Sequence, residues 1–327
     1  MDRLLAVQAQ DPRGARLSIR ARTSGLTAAD VDAALTERRS LLITWLNRGT
    51  LHLVRAEDYW WLHPLVTPQL AVGNARRLKQ EGVSERQADH GVLVIAEQVA
   101  NNGPRTRSEL RAALDAARVP TAGQALVHLL VAASLRGHVV RGPMRGGEQC
   151  FVGVEEWLGA GPEPLDRPEA LTRLARRYLT GHAASDARDL SMWAGITLGD
   201  ARSGLAGIAD EVVERPDGLL ELSGRPPAGE LPGSMLLGPF DPLLHGWTSR
   251  EYVLGSRRDI VTTNGIFRSI ALVAGQAAAT WGLSGGRLTL QPFGRLRKAH
   301  VSALEVEAQD VLRFLGLPPR PMVVGSD

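Results

Sequence analysis

The sequence contains very few cysteines and no long apolar segment. Cys150 is the only cysteine, so an intramolecular disulfide, a zinc ribbon and a cysteine-bound iron–sulfur cluster are excluded. A single cysteine is typical of a reducing compartment. No segment approaches the about 20 apolar residues that a membrane-spanning helix needs, and Gln and Asp interrupt the start of the chain before a signal peptide would form. We therefore expect a cytoplasmic protein without a membrane partner.

Lysine is almost absent as well. Lys79 and Lys298 are the only lysines among 38 basic residues, which stand against 35 acidic ones. A GC-rich genome favours arginine codons, and arginine is also the better phosphate ligand because its planar guanidinium binds two oxygens at once. A net charge of +3 spread over 327 residues does not by itself indicate nucleic-acid binding. The arrangement of the residues must carry that inference.

The common catalytic motifs are missing too. The chain has no G-x-S-x-G elbow, no P-loop and no G-x-G-x-x-G at a strand–helix junction. Its eight histidines do not have the spacing of metal ligands. The sequence therefore predicts neither a metal nor a cofactor.

A repeated order of elements is present instead. Residues 76–160 show three helical patterns followed by a Gly-rich hairpin, and residues 161–224 show the same order, with a hairpin around Pro216-Asp217-Gly218. Residues 1–75 contain a helix capped by Thr27 and a hairpin that turns at Arg48-Gly49. Helices followed by a two-stranded wing are typical of the winged helix. We predict three tandem winged helix-turn-helix units.

The pattern changes after a Pro/Gly-rich linker at 225–235. Strands are predicted at 235–244, 252–267, 269–283 and 286–296. A final helix at 300–317 places Leu304, Val306 and Val311 among its apolar positions, which we expect to pack on the strands. Residues 236–327 thus form a small C-terminal β domain with a terminal helix, and the fold class is α+β.

A short polar triplet lies near the start of the chain. Gln8 and Gln10 share one face if Gln8-Ala9-Gln10 is extended, and Asp11-Pro12 opposes a helix through this point. Two amides on one face can hold a water molecule, since each offers donors and an acceptor. Most such pairs are surface or capping residues, so the triplet alone is a weak signal.

Four segments together carry a resemblance. LLAVQAQDPRGARLSIRAR, TWLNRGTLHLV, LLGPFDPLLHGW and NGIFRSIALVAGQAAATWGL resemble, in this order, signatures of the winged-helix family of the AlkZ-type and YcaQ-type bacterial DNA glycosylases. The resemblance spans residues 3–315 and implies three tandem winged helices followed by a β domain. It also implies a monofunctional glycosylase that excises alkylated purines from double-stranded DNA. Gln8 and Gln10 fall on the catalytic pair of the AlkZ-type branch, whereas the YcaQ-type branch has Asp at the second position.

The implied chemistry suits these residues. An N7-alkylated purine is cationic and leaves without strong acid catalysis, so the enzyme must mainly position water and stabilise a cationic sugar. We expect Gln8 and Gln10 to orient the water and the DNA phosphates to supply negative charge. Asp11 is either an electrostatic helper or a helix cap before Pro12, and His52 is either a second helper or a plain strand histidine. Some members protect antibiotic producers from bulky or crosslinking adducts, and such lesions do not require full base flipping.

Two groups of arginines are candidates for DNA binding. Arg13, Arg16 and Arg20 follow the glutamines and can clamp phosphates. Arg257, Arg258 and Arg268 flank the turn Asn264-Gly265, which makes either a basic hairpin tip for a DNA groove or a solvated turn with surface arginines.

Two alternatives stay open from the sequence. The same winged-helix pattern fits a non-catalytic DNA-binding protein or transcription regulator, and a family member that only recognises lesions is the third reading. Family members carry a further stretch ahead of the glutamine motif, which begins here at residue 8. We therefore expect either a truncated first unit or a start codon placed too late, in a protein that acts as a monomer.

Overall fold

The computed structural model describes residues 1–226, 229, 233–257, 259–262 and 264–325. The strands are β1 (Ala6–Gln8), β2 (Leu41–Leu46), β3 (Thr50–Arg55), β4 (Val139–Arg145), β5 (Glu148–Gly153), β6 (Val212–Glu214), β7 (Leu220–Leu222), β8 (Ser234–Leu237), β9 (Ile270–Val273), β10 (Gln276–Ser284), β11 (Arg287–Pro292) and β12 (Val323–Val324). The helices are α1 (Pro12–Arg20), α2 (Ala28–Thr36), α3 (Ala56–Gln80), α4 (Glu85–Asn102), α5 (Arg107–Ala116), α6 (Ala125–Leu135), α7 (Val154–Leu158), α8 (Arg167–His182), α9 (Ala187–Ala194), α10 (Leu198–Ala206), α11 (Glu251–Leu254) and α12 (Lys298–Phe314).

The strands of the described residues form two five-stranded sheets and one two-stranded sheet. The first sheet has the order β1-β3-β2-β4-β5, so the hairpins of the first two predicted units share one sheet. The second has the order β12-β11-β10-β9-β8, and β6 pairs only with β7. The fold is therefore mixed α+β, as predicted at that level. Among the helices that the structure describes, none is long and apolar enough to cross a bilayer.

Reciprocal side-chain caps fix several helix starts. Thr27 accepts a hydrogen bond from the backbone of Asp30, whose carboxylate accepts from the Thr27 backbone, which confirms the predicted capping box. The same box begins α4 at Ser84. Helix α9 begins with such a box too, in which the side chain of Asp186 accepts from the backbone N–H groups of Arg188 and Asp189. These caps satisfy the N–H groups that a helix leaves free in its first turn.

The two faces of β1, β2 and β3 support different cores. Successive side chains of a strand point to opposite faces. Leu42 and Val54 point to the core formed with α3 and α8, whereas Val7 and Leu53 point to the core formed with α12 and the second sheet. The first sheet therefore lies between the helices of residues 167–206 and the C-terminal part. The buried polar side chains of β1, β2 and β3, which are Gln8, Thr44 and His52, are therefore held by packing.

Several predicted boundaries differ from the structure. Helix α3 continues through residue 75, where the first unit was expected to end. The strand predicted at 252–267 is wrong, because its start lies in α11 and its remainder makes one bridge between Val261 and Phe267. Within α12, Leu304 and Val311 are buried as predicted, but Val306 is 70% exposed. Val306 therefore does not pack on the strands.

Close approach of α1 to the chain after β8 requires glycine at position 14. A Cβ atom built on Gly14 lies 2.4 Å from the carbonyl oxygen of Pro239. We expect Gly14→Ala to lower the free energy of unfolding by about 1–3 kcal/mol, because the helix must move away from Pro239. The control is Gly73→Ala in α3, whose Cβ would meet nothing within 4 Å. It should raise stability by about 0.5–1 kcal/mol through its higher helix propensity. Urea unfolding measures both, and equal effects would contradict the packing argument.

Candidate active site

Strand β1 holds Gln8 directly opposite His52. The two residues are register partners on β1 and β3, and His52 is in turn the partner of Thr44 on β2. Directly opposed residues of antiparallel strands have their side chains on the same face. Gln8 is 8% exposed and His52 is 3% exposed. The structure thus brings His52 beside Gln8, as the sequence suggested for a helper residue.

The amide oxygen of Gln8 has no hydrogen-bond partner. Within the described residues, Oε1 of Gln8 is buried and accepts no hydrogen bond. Buried polar atoms are nearly always paired, and an unpaired one is costly. This oxygen is therefore available to accept a hydrogen bond from a substrate or from a reacting water.

Gln10 lies outside the strand and is exposed. The N–H of Ala9 still donates to the Leu51 carbonyl oxygen at 2.7 Å, and the chain bends after it. Asp11 then caps α1, since its side chain accepts from the Gly14 N–H at 2.6 Å. Asp11 is thus a helix cap before Pro12, and its role as an electrostatic helper stays a prediction. The shared role of Gln8 and Gln10 stays a prediction.

His245 is a site residue that the sequence reasoning missed. It follows a 3-10 turn at Pro242–Leu244 and is 7% exposed, with its ring centre 3.9 Å from that of Phe267. Within the described residues, Nε2 of His245 is buried without a partner. Burial above all, with smaller contributions from Arg48, His52 and Arg250, lowers the pKa of His245 to about 3. The segment LLGPFDPLLHGW therefore contributes a neutral imidazole next to His52.

An ion pair with a buried carboxylate anchors this segment to Arg22, two residues after the end of α1. Both terminal nitrogens of Arg22 donate to the carboxylate of Asp241, at 2.9 and 2.7 Å. Asp241 is fully buried and also accepts from the Leu243 N–H at 2.9 Å. Burial disfavours the charge of Arg22, but the Asp241 carboxylate outweighs it and raises the pKa of the guanidinium. A bidentate pair fixes direction as well as distance, so α1 and the His245 segment are held in one geometry.

Four buried histidines make stability depend on pH. Desolvation lowers the pKa of His52 and His245 to about 3 and that of His63 and His182 to about 4, from the ordinary value of 6.5. Below pH 6.5 the unfolded chain binds protons that the folded chain excludes, so the free energy of unfolding falls as the pH falls. Each histidine contributes up to about 1.4 kcal/mol per pH unit down to its folded pKa.

We expect His63→Gln to reduce this slope. Nε2 of His63 lies 2.9 Å from the Ser134 carbonyl oxygen, and the glutamine amide can donate to the same oxygen. Urea unfolding between pH 7 and pH 5 should give a slope smaller by up to about 1.4 kcal/mol per pH unit. His90→Gln, an exposed position on α4, is the control that leaves the slope unchanged. Equal slopes for both variants would show that His63 does not exclude the proton.

The arginines after the glutamine motif fall into two groups. Arg13 is exposed, and Arg16 donates to Asp32 at 2.8 Å from the partly exposed face of α1. Arg20 is 5% exposed and donates to Glu307 and Asp310 of α12 at 2.7 and 2.8 Å. The prediction of Arg20 as a phosphate clamp is therefore wrong, because its guanidinium is buried and already paired with two carboxylates. Sequence reasoning missed this because both acidic partners are distant along the chain.

The C-terminal arginines lie around a short turn. The N–H of Thr262 donates to the Ile266 carbonyl oxygen at 2.9 Å, so a turn is present at Asn264-Gly265. Arg268 is exposed beside it. Arg257 lies 3.8 Å above the ring centre of Phe293, and Arg258 lies outside the described residues. DNA contacts at Arg257 and Arg268 stay predictions.

Metal ligation finds no support in the part of the chain that the structure describes. No group of three or more His, Cys, Asp or Glu side chains lies close enough together there to hold a metal ion. The residues that the fold gathers near Gln8 are amides, neutral imidazoles and arginines. Such a set can orient polar atoms and bind anions.

Comparison with known proteins shows which family has a similar sequence and fold. A family model described as "DNA glycosylase AlkZ-like" matches residues 1–314. The interstrand DNA cross-link repair glycosylase of Streptomyces sahachiroi is 26% identical over 345 aligned positions, which cover 98% of this chain and 91% of that protein. The solved structure of the S. sahachiroi DNA glycosylase AlkZ has the same fold, with a TM-score of 0.78 at 24% identity, and the match covers 99% of this chain and 92% of that one.

These matches define the class of the protein first: it is a DNA glycosylase, an enzyme of DNA repair. The chain belongs to the AlkZ-like DNA glycosylase family. The family resemblance and the enzyme class predicted from the sequence are thereby confirmed. DNA is the substrate that this class implies.

Proposed function

We propose that the protein hydrolyses the N-glycosidic bond of alkylated purines in double-stranded DNA, N7-alkylpurines above all. The observation that carries this proposal is the buried, unpartnered Oε1 of Gln8 beside the neutral His52. The named activity of the Streptomyces relative, repair of interstrand cross-links, supports bulky or crosslinked adducts as substrates. Self-resistance to a DNA-alkylating product is the corresponding biological role.

The mechanism assigns water positioning to the amides. Oε1 of Gln8 accepts a hydrogen bond from the attacking water. Gln10 makes a second hydrogen bond to the same water from the exposed side. His52 and His245 are uncharged near neutral pH because burial lowers the pKa of both to about 3, so they add no positive charge beside a sugar that becomes cationic. The alkylated base is already a cation and leaves without a general acid. Preorganised dipoles and excluded water then account for the catalysis.

We propose that the architecture is three tandem winged helices and a β domain, working as a cytoplasmic monomer. The series α4, α5, α6, β4, β5 and the series α8, α9, α10, β6, β7 both have the three-helix-then-hairpin order of a winged helix. Arg13, Arg16, Arg257 and Arg268 are partly or fully exposed and remain the candidate DNA contacts.

A panel of single-lesion duplexes tests the function. The protein is incubated with DNA carrying N7-methylguanine, a bulky N7-guanine adduct, an N7-linked interstrand crosslink or uracil, and abasic sites are scored after mild alkali. We expect abasic sites from the cationic lesions and none from uracil, because neutral uracil needs more help to leave. Cleavage of uracil alone, or of no cationic lesion, would refute the proposed substrate class.

A further inference from the structure

Arg48 is fixed at the edge of the candidate active site. It lies in the turn between β2 and β3 with a positive φ of 54°. Its Nη1 donates to the carbonyl oxygens of Met192 and Trp193, at 3.0 and 2.5 Å, which end α9. In the described part of the chain, the other guanidinium nitrogens of Arg48 donate to no protein atom. One side of the guanidinium is therefore anchored and the other is free.

Arg250 is held in a similar way on the segment of His245. Its Nε donates to the Leu244 carbonyl oxygen at 2.6 Å, and its guanidinium lies 5.2 Å from the ring centre of Phe267. The same ring contacts His245. Arg250 also lines a groove of about 500 Å³ that includes Arg257. Both terminal nitrogens of Arg250 lack a protein partner among the described residues.

No carboxylate of the described residues neutralises either arginine. Arg20 and Arg22 each have an acidic partner, whereas Arg48 and Arg250 have only carbonyl oxygens. Desolvation lowers the pKa of both guanidinium groups, and the charge of Arg250 lowers that of Arg48 further. Both arginines are also tied to α9, because Arg48 donates to the carbonyl oxygens of Met192 and Trp193, and the N–H of Thr248, two residues before Arg250, donates to the carboxylate of Asp189 at 2.8 Å. Two partly buried like charges held at one helix without a counter-ion favour a bound anion.

We propose that Arg48 and Arg250 together hold one phosphate of the DNA backbone, next to the nucleotide whose base is excised. The inference rests on the proposed function and specifies how the lesion is held against Gln8. Guanidinium groups bind phosphate oxygens through paired, charge-assisted hydrogen bonds. The bound phosphate neutralises positive charge where the sugar becomes cationic. Without it the two arginines oppose that cation, so the site acts on DNA and not on a free alkylated nucleoside.

Methylphosphonate substitution tests the contact. A duplex with a tetrahydrofuran abasic analogue cannot be cleaved by a glycosylase, so the Kd can be measured without reaction. One phosphate at a time, on either side of the analogue, is replaced by a neutral methylphosphonate. For the wild type we expect one position to weaken binding by about tenfold. Arg250→Gln should bind the native duplex about tenfold more weakly and lose nothing further at that position.

The same binding assay includes a control variant and a result that would overturn the proposal. Arg86→Gln removes an exposed arginine of α4 and should lose as much as the wild type on the methylphosphonate duplex. Arg250→Lys keeps the charge and should keep most of the salt dependence, whereas Arg250→Gln should lower the slope of log Kd against log salt by about 0.9. Additive losses at every phosphate, or an unchanged slope for Arg250→Gln, would overturn the proposal.

Arg48→Lys is read in the same assay, because a neutral residue at position 48 removes the hydrogen bonds that end α9. It should bind the native duplex more weakly with an unchanged melting temperature, and it should lose less than the wild type at the same methylphosphonate, because lysine keeps the charge but not the paired hydrogen bonds. The readout is binding and not excision. If the arginine variants lose the sensitivity to methylphosphonate but the protein excises no alkylated base, only the proposed function is refuted. If the protein excises alkylated bases but the variants stay as sensitive as the wild type, only the phosphate site is refuted.

Discussion

Gln8→Ala is expected to lower the single-turnover rate of base excision by about 100-fold, while the Kd for DNA changes by less than about threefold. The reason is that Oε1 of Gln8 is buried, unpartnered and fixed by the pairing of β1 with β3. Alanine at this position keeps the strand but cannot orient water. An effect on the rate and not on binding separates water positioning from a contact to the DNA.

Two further variants sharpen this result. Gln10→Ala should reduce the rate as well, and the double variant should lose less than the product of the single losses, because both amides hold one water. Gln276→Ala, on the exposed start of β10, is the matched control and should leave the rate unchanged. A Gln8→Ala protein with the wild-type rate and melting temperature would remove Gln8 from the mechanism.

Asp241→Ala is expected to lower the free energy of unfolding by about 3 kcal/mol. Asp241 is fully buried, receives two hydrogen bonds from Arg22 and caps the turn at Leu243. Its removal leaves the Arg22 guanidinium without its counter-ion and the Leu243 N–H without its acceptor, in a site that is closed to water at position 241. Excision should also fall, because the pair holds α1 against the segment that carries His245. Urea unfolding and single-turnover kinetics measure the two effects.

The double variant Arg22→Met, Asp241→Leu distinguishes charge from packing. It removes both charges and should recover much of the stability lost in Asp241→Ala, since a buried pair is replaced by apolar contacts. Asp217→Ala, in the exposed turn between β6 and β7, is the control and should change stability by less than about 0.5 kcal/mol. A double variant that is less stable than Asp241→Ala would show that the pair contributes more than it costs to bury.

Local signals predicted the elements that local interactions form. The sequence predicted three such features: the capping box of Thr27 and Asp30, the turn at Arg48-Gly49 and the hairpin around Asp217. Their stabilising contacts lie within a few residues of one another. The position of Gln8 beside His52 was partly readable too. The apolar segment that ends at Gln8 is extended as predicted and pairs with β3, which carries His52, whereas Gln10 lies beyond the strand.

Contacts between segments that are distant along the chain could not be predicted from the sequence. His245 gave no signal, because its pKa is lowered mainly by burial in the folded protein, and Arg48 and His52, which lower it further in part, are distant along the chain. The sequence indicated that Arg20 is a surface arginine, because its two acidic partners lie on α12, far along the chain. The segment from Tyr252 has the apolar content of a strand, but its first residues form α11, and among its described residues none pairs with a strand of the second sheet.

The most direct test of the account is base release from a duplex with a single N7-methylguanine, under single-turnover conditions. The wild-type protein should release free N7-methylguanine and leave an intact strand with an abasic site that breaks only after alkali. The variant Gln8→Ala, Gln10→Ala should bind the same duplex and release the base at least about 100-fold more slowly. Release by the double variant at the wild-type rate, or no release by the wild type from any alkylated duplex, would contradict the account.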